Sequence, residues 1–165
     1  MNKAILLIGG NLGDRTAHLR QAVDQINEQV GRVEKISAIY ETAAWGVTEQ
    51  PDYLNQALLV NTLLDALTLL RTVLDIEHDI GRIRRQKWGA RVIDIDIIFF
   101  NDEIINLPEL KIPHPQMQYR QFVLVPLKEI LPHWQHPVLH KDITELLALC
   151  TDKLPARKFE NPTTN

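Results

Sequence analysis

The chain is expected to fold as an α+β sandwich, a mostly antiparallel sheet with helices packed on its faces. Three observations predict it. Short runs of β-formers alternate with segments whose apolar residues recur at helical spacing. Glycines and prolines punctuate the junctions between them. One run, within WGARVIDIDIIFF from Trp88 to Phe100, sets aspartates at alternate positions among aliphatics, and a strand turns that alternation into a one-sided feature.

The elements follow in order. Lys3 to Ile8 is a short apolar run ending at Gly9-Gly10, which reads as a strand and a turn. Leu19, Val23, Ile26 and Val30 share a helical stripe, so a helix is expected from about Asp14 to Gln29, stopped at Gly31. Val33 to Glu41 reads as a second strand, Thr42 to Pro51 as a loop, and Tyr53 to Leu63 as a third strand with helix as the alternative. Asp65 is placed to cap a helix bearing Leu67, Leu70, Leu74 and Ile80, closed by Gly81. The aspartate strand comes next, and Asn101-Asp102 turns into a short strand over Glu103 to Asn106. Ile112-Pro113-His114-Pro115 cannot be regular helix. Val123 to Leu131 and Asp142 to Cys150 read as helices, the second with Asp142 and Glu145 at capping-box spacing. Strand, helix, strand, strand, helix, strand is the order of a ferredoxin-like sandwich.

The length of 165 residues suits one domain, expected over residues 1–155, with 156–165 as a flexible polar tail. Apolar residues at 45% and charged residues at 24% suit a soluble globular protein. A net charge of −3 gives no global reason to expect nucleic acid. One cysteine, Cys150, excludes an internal disulfide and a cysteine-based zinc site. The apolar stretch at the start is too short for a signal peptide or a membrane span. A cytoplasmic monomer with no membrane contact is expected.

Chemistry concentrates around Asp94 and Asp96. Residues two apart on a strand face the same way, with Cα atoms roughly 6.5–7 Å apart, while Ile93, Ile95 and Ile97 take the opposite face. A strand with one face in water would carry such aspartates without function. Against that stand the scarcity of Asp in strands and the apolar neighbours on both sides. Buried carboxylates need a cation, and Mg²⁺ takes one or two of them while leaving its remaining positions to water and phosphate. Arg82 to Arg91 holds five basic side chains and no acid. Arginine forks match phosphate oxygens, and flanking glycines suit a lid that closes over a polyphosphate. A solvated charge run is the plainer reading of that stretch taken alone.

Other candidates are weaker by themselves. His114 is held between prolines as either a structural residue or a positioned donor, with Arg120 six residues on. Glu77 falls at helical spacing from Leu70, Leu74 and Ile80, either facing partly inward or as a borderline surface residue. Trp45, Tyr53 and Asn55 offer stacking surfaces and an amide that both donates and accepts, or simply a loop packed on the core. Gly9 to Gly13 lacks the Lys-Ser/Thr of a phosphate loop and reads as a strand-to-helix turn.

Taken in order, these pieces resemble the 6-hydroxymethyl-7,8-dihydropterin pyrophosphokinase family. The motifs are Gly9 to Asp14, Tyr40-Glu41-Thr42 with Trp45-Gly46, Gln50 to Asn55, Glu77 leading to Gly81-Arg82-x-Arg84, Trp88-Gly89-x-Arg91-x-x-Asp94-Ile95-Asp96-Ile97-Ile98, Pro113-His114-Pro115, Arg120, and Phe122-Val123-Leu124-x-Pro126-Leu127. The resemblance covers roughly Ile8 to Leu131. It implies transfer of the β,γ-diphosphate of ATP to the pterin hydroxymethyl oxygen, with release of AMP and the use of two Mg²⁺. By position, Asp94 and Asp96 would hold the metals, and Asp94, Asp96, Arg82 and Arg91 would carry the chemistry. Glu77, Arg82, Arg84, Trp88, Arg91, Ile97, His114 and Arg120 would line the ATP side. Thr42, Ala43, Trp45, Tyr53, Asn55 and Phe122 would form the pterin pocket. The chain departs from the pattern at Gly10, Ala43, Ala44, Leu74 and Ala90, and none of these removes a charge the chemistry needs. Two other readings share parts of the pattern: a different Mg²⁺-dependent nucleotidyl or glycosyl transferase built on Asp-x-Asp, and a ferredoxin-like RNA-binding module. The second is disfavoured by aspartates where such modules place stacking aromatics.

Overall fold

The computed structural model describes residues 1–43, 51–81 and 92–160. In chain order they form β1 (Asn2–Gly10), α1 (Arg15–Gln29), β2 (Gly31–Ile36), β3 (Tyr40–Thr42), β4 (Tyr53–Thr62), α2 (Ala66–Ile80), β5 (Asp94–Phe100), β6 (Ile105–Asn106), β7 (Lys111–Ile112), α3 (Gln121–Ile130), α4 (Ile143–Leu149) and β8 (Arg157–Lys158). The main sheet runs β5-β1-β4-β3-β8, with β2 also paired to β4, and every pairing is antiparallel. The small pair β6-β7 stands apart.

Both faces of the sheet are covered, as the amphipathic helices require. Leu19, Ala22 and Ile26 of α1 and Leu69, Val73 and Ile76 of α2 pack with Leu6, Ile8, Leu58, Ile93, Ile95 and Ile97 on one face. Val123, Leu124 and Leu127 of α3 and Ile143 and Leu146 of α4 pack with Ile5, Leu7, Leu59 and Phe99 on the other. Asp14 caps α1, its side chain accepting from the Ala17 N–H, and Asp65 caps α2 in the same way from Thr68. The expected capping box of Asp142 and Glu145 is present at α4.

Three expectations need correction. The buried stripe of α2 is Ala66, Leu69, Val73 and Ile76, whereas Leu67 and Leu74 are exposed. An all-round leucine-rich helix satisfies either stripe on paper, and tertiary packing chose between them. The expected single strand Val33 to Glu41 is two strands, β2 and β3, broken at residues 37–39. There Ser37 Oγ accepts the Ala57 N–H, so a side chain replaces one rung of the ladder. The segment expected as a tail from residue 156 contains β8, which pairs Arg157 with Glu41 and Lys158 with Tyr40.

Candidate active site

The two aspartates stand on the α3/α4 face of the sheet. Asp94 lies opposite Gly9 and Asp96 opposite Leu7 on β1, and paired residues of adjacent strands share a face. Ile93, Ile95 and Ile97 enter the core on the other side, as the alternation predicts. Gly9 in turn lies opposite Asn55 on β4. Asn55, Gly9 and Asp94 therefore form one row across three strands. The row requires glycine at its centre, because a Cβ at Gly9 would overlap Asn55 Oδ1 and lie 2.6 Å from the Leu54 carbonyl oxygen.

β5 is the last strand of the sheet among the described residues, and one of its edges has no strand partner among them. Two other groups close it. Glu77 Oε2 accepts the Ile95 N–H at 2.6 Å, between the two aspartates, and the His114 N–H donates to the Ile98 carbonyl at 3.0 Å. Burial holds the Asp96 carboxyl above the ordinary carboxylate range, with His114 pulling it the other way.

Two cavities meet at these acids. The first, about 360 Å³, is lined by Thr42, Ala43, Tyr53, Asn55, Phe122 and Arg120 along with both aspartates. It thus gathers the described part of the ring pocket expected from sequence, and it includes Arg120, which had been expected on the nucleotide side. The Thr42 hydroxyl is buried there with no hydrogen-bond partner among the described residues. The second cavity, about 410 Å³, runs along the edge of β5 and is lined by Leu70, Leu74, Glu77, Ile97, Lys111 and His114, again with Asp94 and Asp96. Leu74, nearly half exposed at 48%, is exposed into this groove. Arg82, Arg84, Trp88, Arg91 and Trp45 lie outside the described residues.

The donor set suits a hard divalent cation that shares its shell with phosphate. Among the described lining residues, Asp94, Asp96, Glu77, Glu109 and Asp152 face only Arg120 and Lys111 as permanent cations. No group of three or more His, Cys, Asp or Glu among the described residues forms a closed metal cage. Two carboxylates on an otherwise open site are what Mg²⁺ uses when phosphate supplies the remaining oxygens.

The lining residues that the sequence does not mark include Gly9, Lys111, Asp152 and Leu154. Gly9 belongs to the expected strand-to-turn junction, and its place before Asn11 in a glycine-rich run is a usable signal. Lys111 had none beyond its nearness to His114. Asp152 and Leu154 had no local signal at all, because contacts across many residues bring them to the first cavity.

Comparison with known proteins shows the family. A family profile described as 7,8-dihydro-6-hydroxymethylpterin-pyrophosphokinase (HPPK) matches residues 5–132. The chain is 43% identical over 145 residues to the 2-amino-4-hydroxy-6-hydroxymethyldihydropteridine pyrophosphokinase of Synechocystis sp., covering 87% of this chain and 74% of the relative. It is 40% identical over 145 residues to the enzyme of that name from Aquifex aeolicus, covering 88% and 90%. The crystal structure of wild-type Plasmodium falciparum HPPK-DHPS with SDX-DHP superposes with a TM-score of 0.73 at 19% identity, over 90% of this chain and 43% of that one. This chain thus spans less than half the length of that structure, and the likeness shows the fold alone. The matched span includes the aspartate row, the Glu77 contact and the first turn of α3, so the chain belongs to the 7,8-dihydro-6-hydroxymethylpterin-pyrophosphokinase family.

Proposed function

We infer that the chain transfers the terminal diphosphate of ATP to the hydroxymethyl oxygen of 6-hydroxymethyl-7,8-dihydropterin, releasing AMP, a step of folate biosynthesis. The observation that carries this reading is that Asp94 and Asp96 line both cavities. A bisubstrate transfer needs such a border: the nucleophile waits on one side and the diphosphate donor lies on the other.

In this reading the first cavity takes the pterin. Its volume suits a flat bicyclic heterocycle. Tyr53 and Phe122 supply the stacking faces, and the Asn55 amide both donates to and accepts from the ring edge. The Thr42 hydroxyl, without a hydrogen-bond partner among the described residues, supplies a further polar contact. The groove along β5 takes ATP. Leu70 and Leu74 offer apolar surface for the base, and Lys111, His114 and Glu77 stand toward the phosphates and ribose. The arginines of 82–91 belong to the same proposal, neutralising charge that spreads over the phosphate oxygens.

Asp94 and Asp96 are the residues that would hold magnesium. When bound, the metal neutralises the triphosphate and polarises the bond that breaks. The chain's own residues orient the reactants. As the new oxygen–phosphorus bond forms at the β-phosphorus, the bond to the AMP oxygen breaks and the hydroxyl proton passes to water. Asp96, on the border between the cavities, is placed to orient that hydroxyl. The site is proposed to work in a monomer.

The test is direct. With ATP and Mg²⁺, AMP should form only when the reduced pterin is added, in equal amount to pterin diphosphate. Release of ADP in place of AMP, or AMP without pterin, overturns the reading.

A further inference from the structure

The family profile ends at residue 132, yet the ring cavity is completed by residues beyond it: Asp152 and Leu154 line it. Asp152 is held in place by backbone donors. Its Oδ2 accepts the Gln121 N–H at 3.0 Å and its Oδ1 accepts the Leu154 N–H at 3.0 Å, while the Gln121 amide donates back to the Asp152 carbonyl. Gln121 is the first residue of α3, and its neighbours Arg120 and Phe122 both line the cavity. α3 has no side-chain cap from its own N-cap residue, Arg120. A carboxylate 31 positions away does that work.

The same segment reaches the other walls. In β8, Arg157 and Lys158 pair with Glu41 and Tyr40 of β3, the strand that ends at Thr42 in the cavity. The Phe159 N–H donates to the Ile39 carbonyl at 2.8 Å. The Arg15 guanidinium stands 5.3 Å from the centre of the Phe159 ring while donating to Glu41 Oε2 at 3.1 Å and to the Asp52 carbonyl at 2.8 Å, one residue before Tyr53. The first turn of α3, the end of β3 and the backbone leading into β4 are thus all tied to residues 152–159.

We propose that residues 152–159 are a strap that sets the shape of the ring cavity, with Leu154 as part of its wall and Asp152 as the positioning residue for Phe122 and Arg120. This rests on the first cavity being the pterin site. The strap acts on the heterocycle and leaves the nucleotide groove alone, because neither Asp152 nor Leu154 lines that groove.

The experiment measures pterin binding by its own fluorescence, with Mg²⁺ and a non-hydrolysable ATP analogue present, alongside steady-state kinetics. Asp152→Ala should weaken pterin binding and raise the KM for pterin about tenfold, leaving the KM for ATP within about twofold. Asp152→Asn, which keeps one acceptor, should fall between Asp152→Ala and the unaltered chain. Leu154→Ala should weaken pterin binding with both Asp152 hydrogen bonds intact, and it carries the test if Asp152→Ala does not fold. Unchanged pterin affinity in both alanine variants, or parallel increases in the KM for pterin and ATP, overturns the proposal. Binding is read without turnover, so an unaltered chain that binds pterin but forms no AMP would overturn the reaction alone.

Discussion

Glu77 and Ile95 are joined by a 2.6 Å hydrogen bond from the Ile95 N–H to Glu77 Oε2, midway between the two aspartates. The contact fastens the last turn of α2 to the free edge of β5 and fixes the height of the edge on which both acids stand. A hydrogen bond to a charged acceptor at a partly buried site contributes about 1.5–3 kcal/mol. Glu77→Ala is expected to destabilise the chain by that amount in urea titration and to lower kcat/KM for ATP. Glu77→Gln, which keeps an acceptor, should recover more of the stability than of the ATP dependence. If the two variants lose stability equally, the hydrogen bond is not what secures β5.

Gly9 separates Asn55 from Asp94, and its missing side chain is what lets the Asn55 amide lie across the sheet. A methyl there forces Asn55 aside, and overpacking of this kind costs about 1–3 kcal/mol. Gly9→Ala should therefore raise the KM for pterin roughly tenfold or more while changing the KM for ATP little. An equal effect on both substrates would show that the methyl moves the whole β1–β5 pair instead of one amide.

How far the sequence could be read depended on whether a pattern had a single solution. The period of two in Asp94-Ile95-Asp96-Ile97 admits one arrangement on a strand, and the structure has it. The pattern fails immediately after, because β5 slips register against β1 between Ile5 and Leu6, so that Ile98 and Phe99 pack in the same cluster. Nothing in Ile98-Phe99-Phe100 announces a bulge, since each residue is apolar. In α2 the leucines allowed two stripes: of the one predicted as core, Leu70 and Ile80 pack against the core cluster, whereas Leu67 and Leu74 are exposed and Leu74 lines the groove. Asp152 was illegible for a different reason. Its partner, Gln121, is 31 residues distant, and a capping carboxylate is recognisable in sequence only when it directly precedes its helix.

His136 links the 135–142 turn to the α3/α4 face. Its ring is buried, edge-on to Phe99 at 5.7 Å, and Nδ1 accepts the N–H groups of Val138 and Leu139. Those bonds require the neutral ring. Burial, with the nearby His140 adding to it, lowers the pKa of His136 below the ordinary histidine value. In the unfolded chain the ring takes its proton near pH 6.5, and in the folded chain only at lower pH. The stability it contributes is therefore complete above about pH 6.5 and is lost as the pH falls through the folded value. Urea midpoints should drop between pH 7.5 and pH 5. His136→Asn, whose Oδ1 reproduces the acceptor, should flatten that drop while lowering stability at neutral pH through lost packing on Phe99. An unchanged pH slope in the variant would assign the effect to other groups.

Asp96 sets function against stability. Burial raises its pKa, so the charged carboxylate is unfavourable in the fold when no cation is present. The sign follows directly. A carboxyl with a folded pKa above its unfolded one favours the folded state at low pH, and that contribution is lost as the pH rises through the folded value. Neutralising the side chain without changing its shape removes the penalty. Asp96→Asn is therefore expected to raise the melting temperature in EDTA at pH 7.5, while lowering turnover with Mg²⁺ by roughly 10²–10³-fold or more. Added Mg²⁺ and ATP analogue should stabilise the unaltered chain and leave the variant nearly unmoved, because a ligand stabilises only the fold that binds it. Asp94→Asn should share the loss of turnover. If Asp96→Asn melts lower than the unaltered chain in EDTA, the carboxylate is already satisfied by neighbouring groups, and its burial does not reflect the need for a cation.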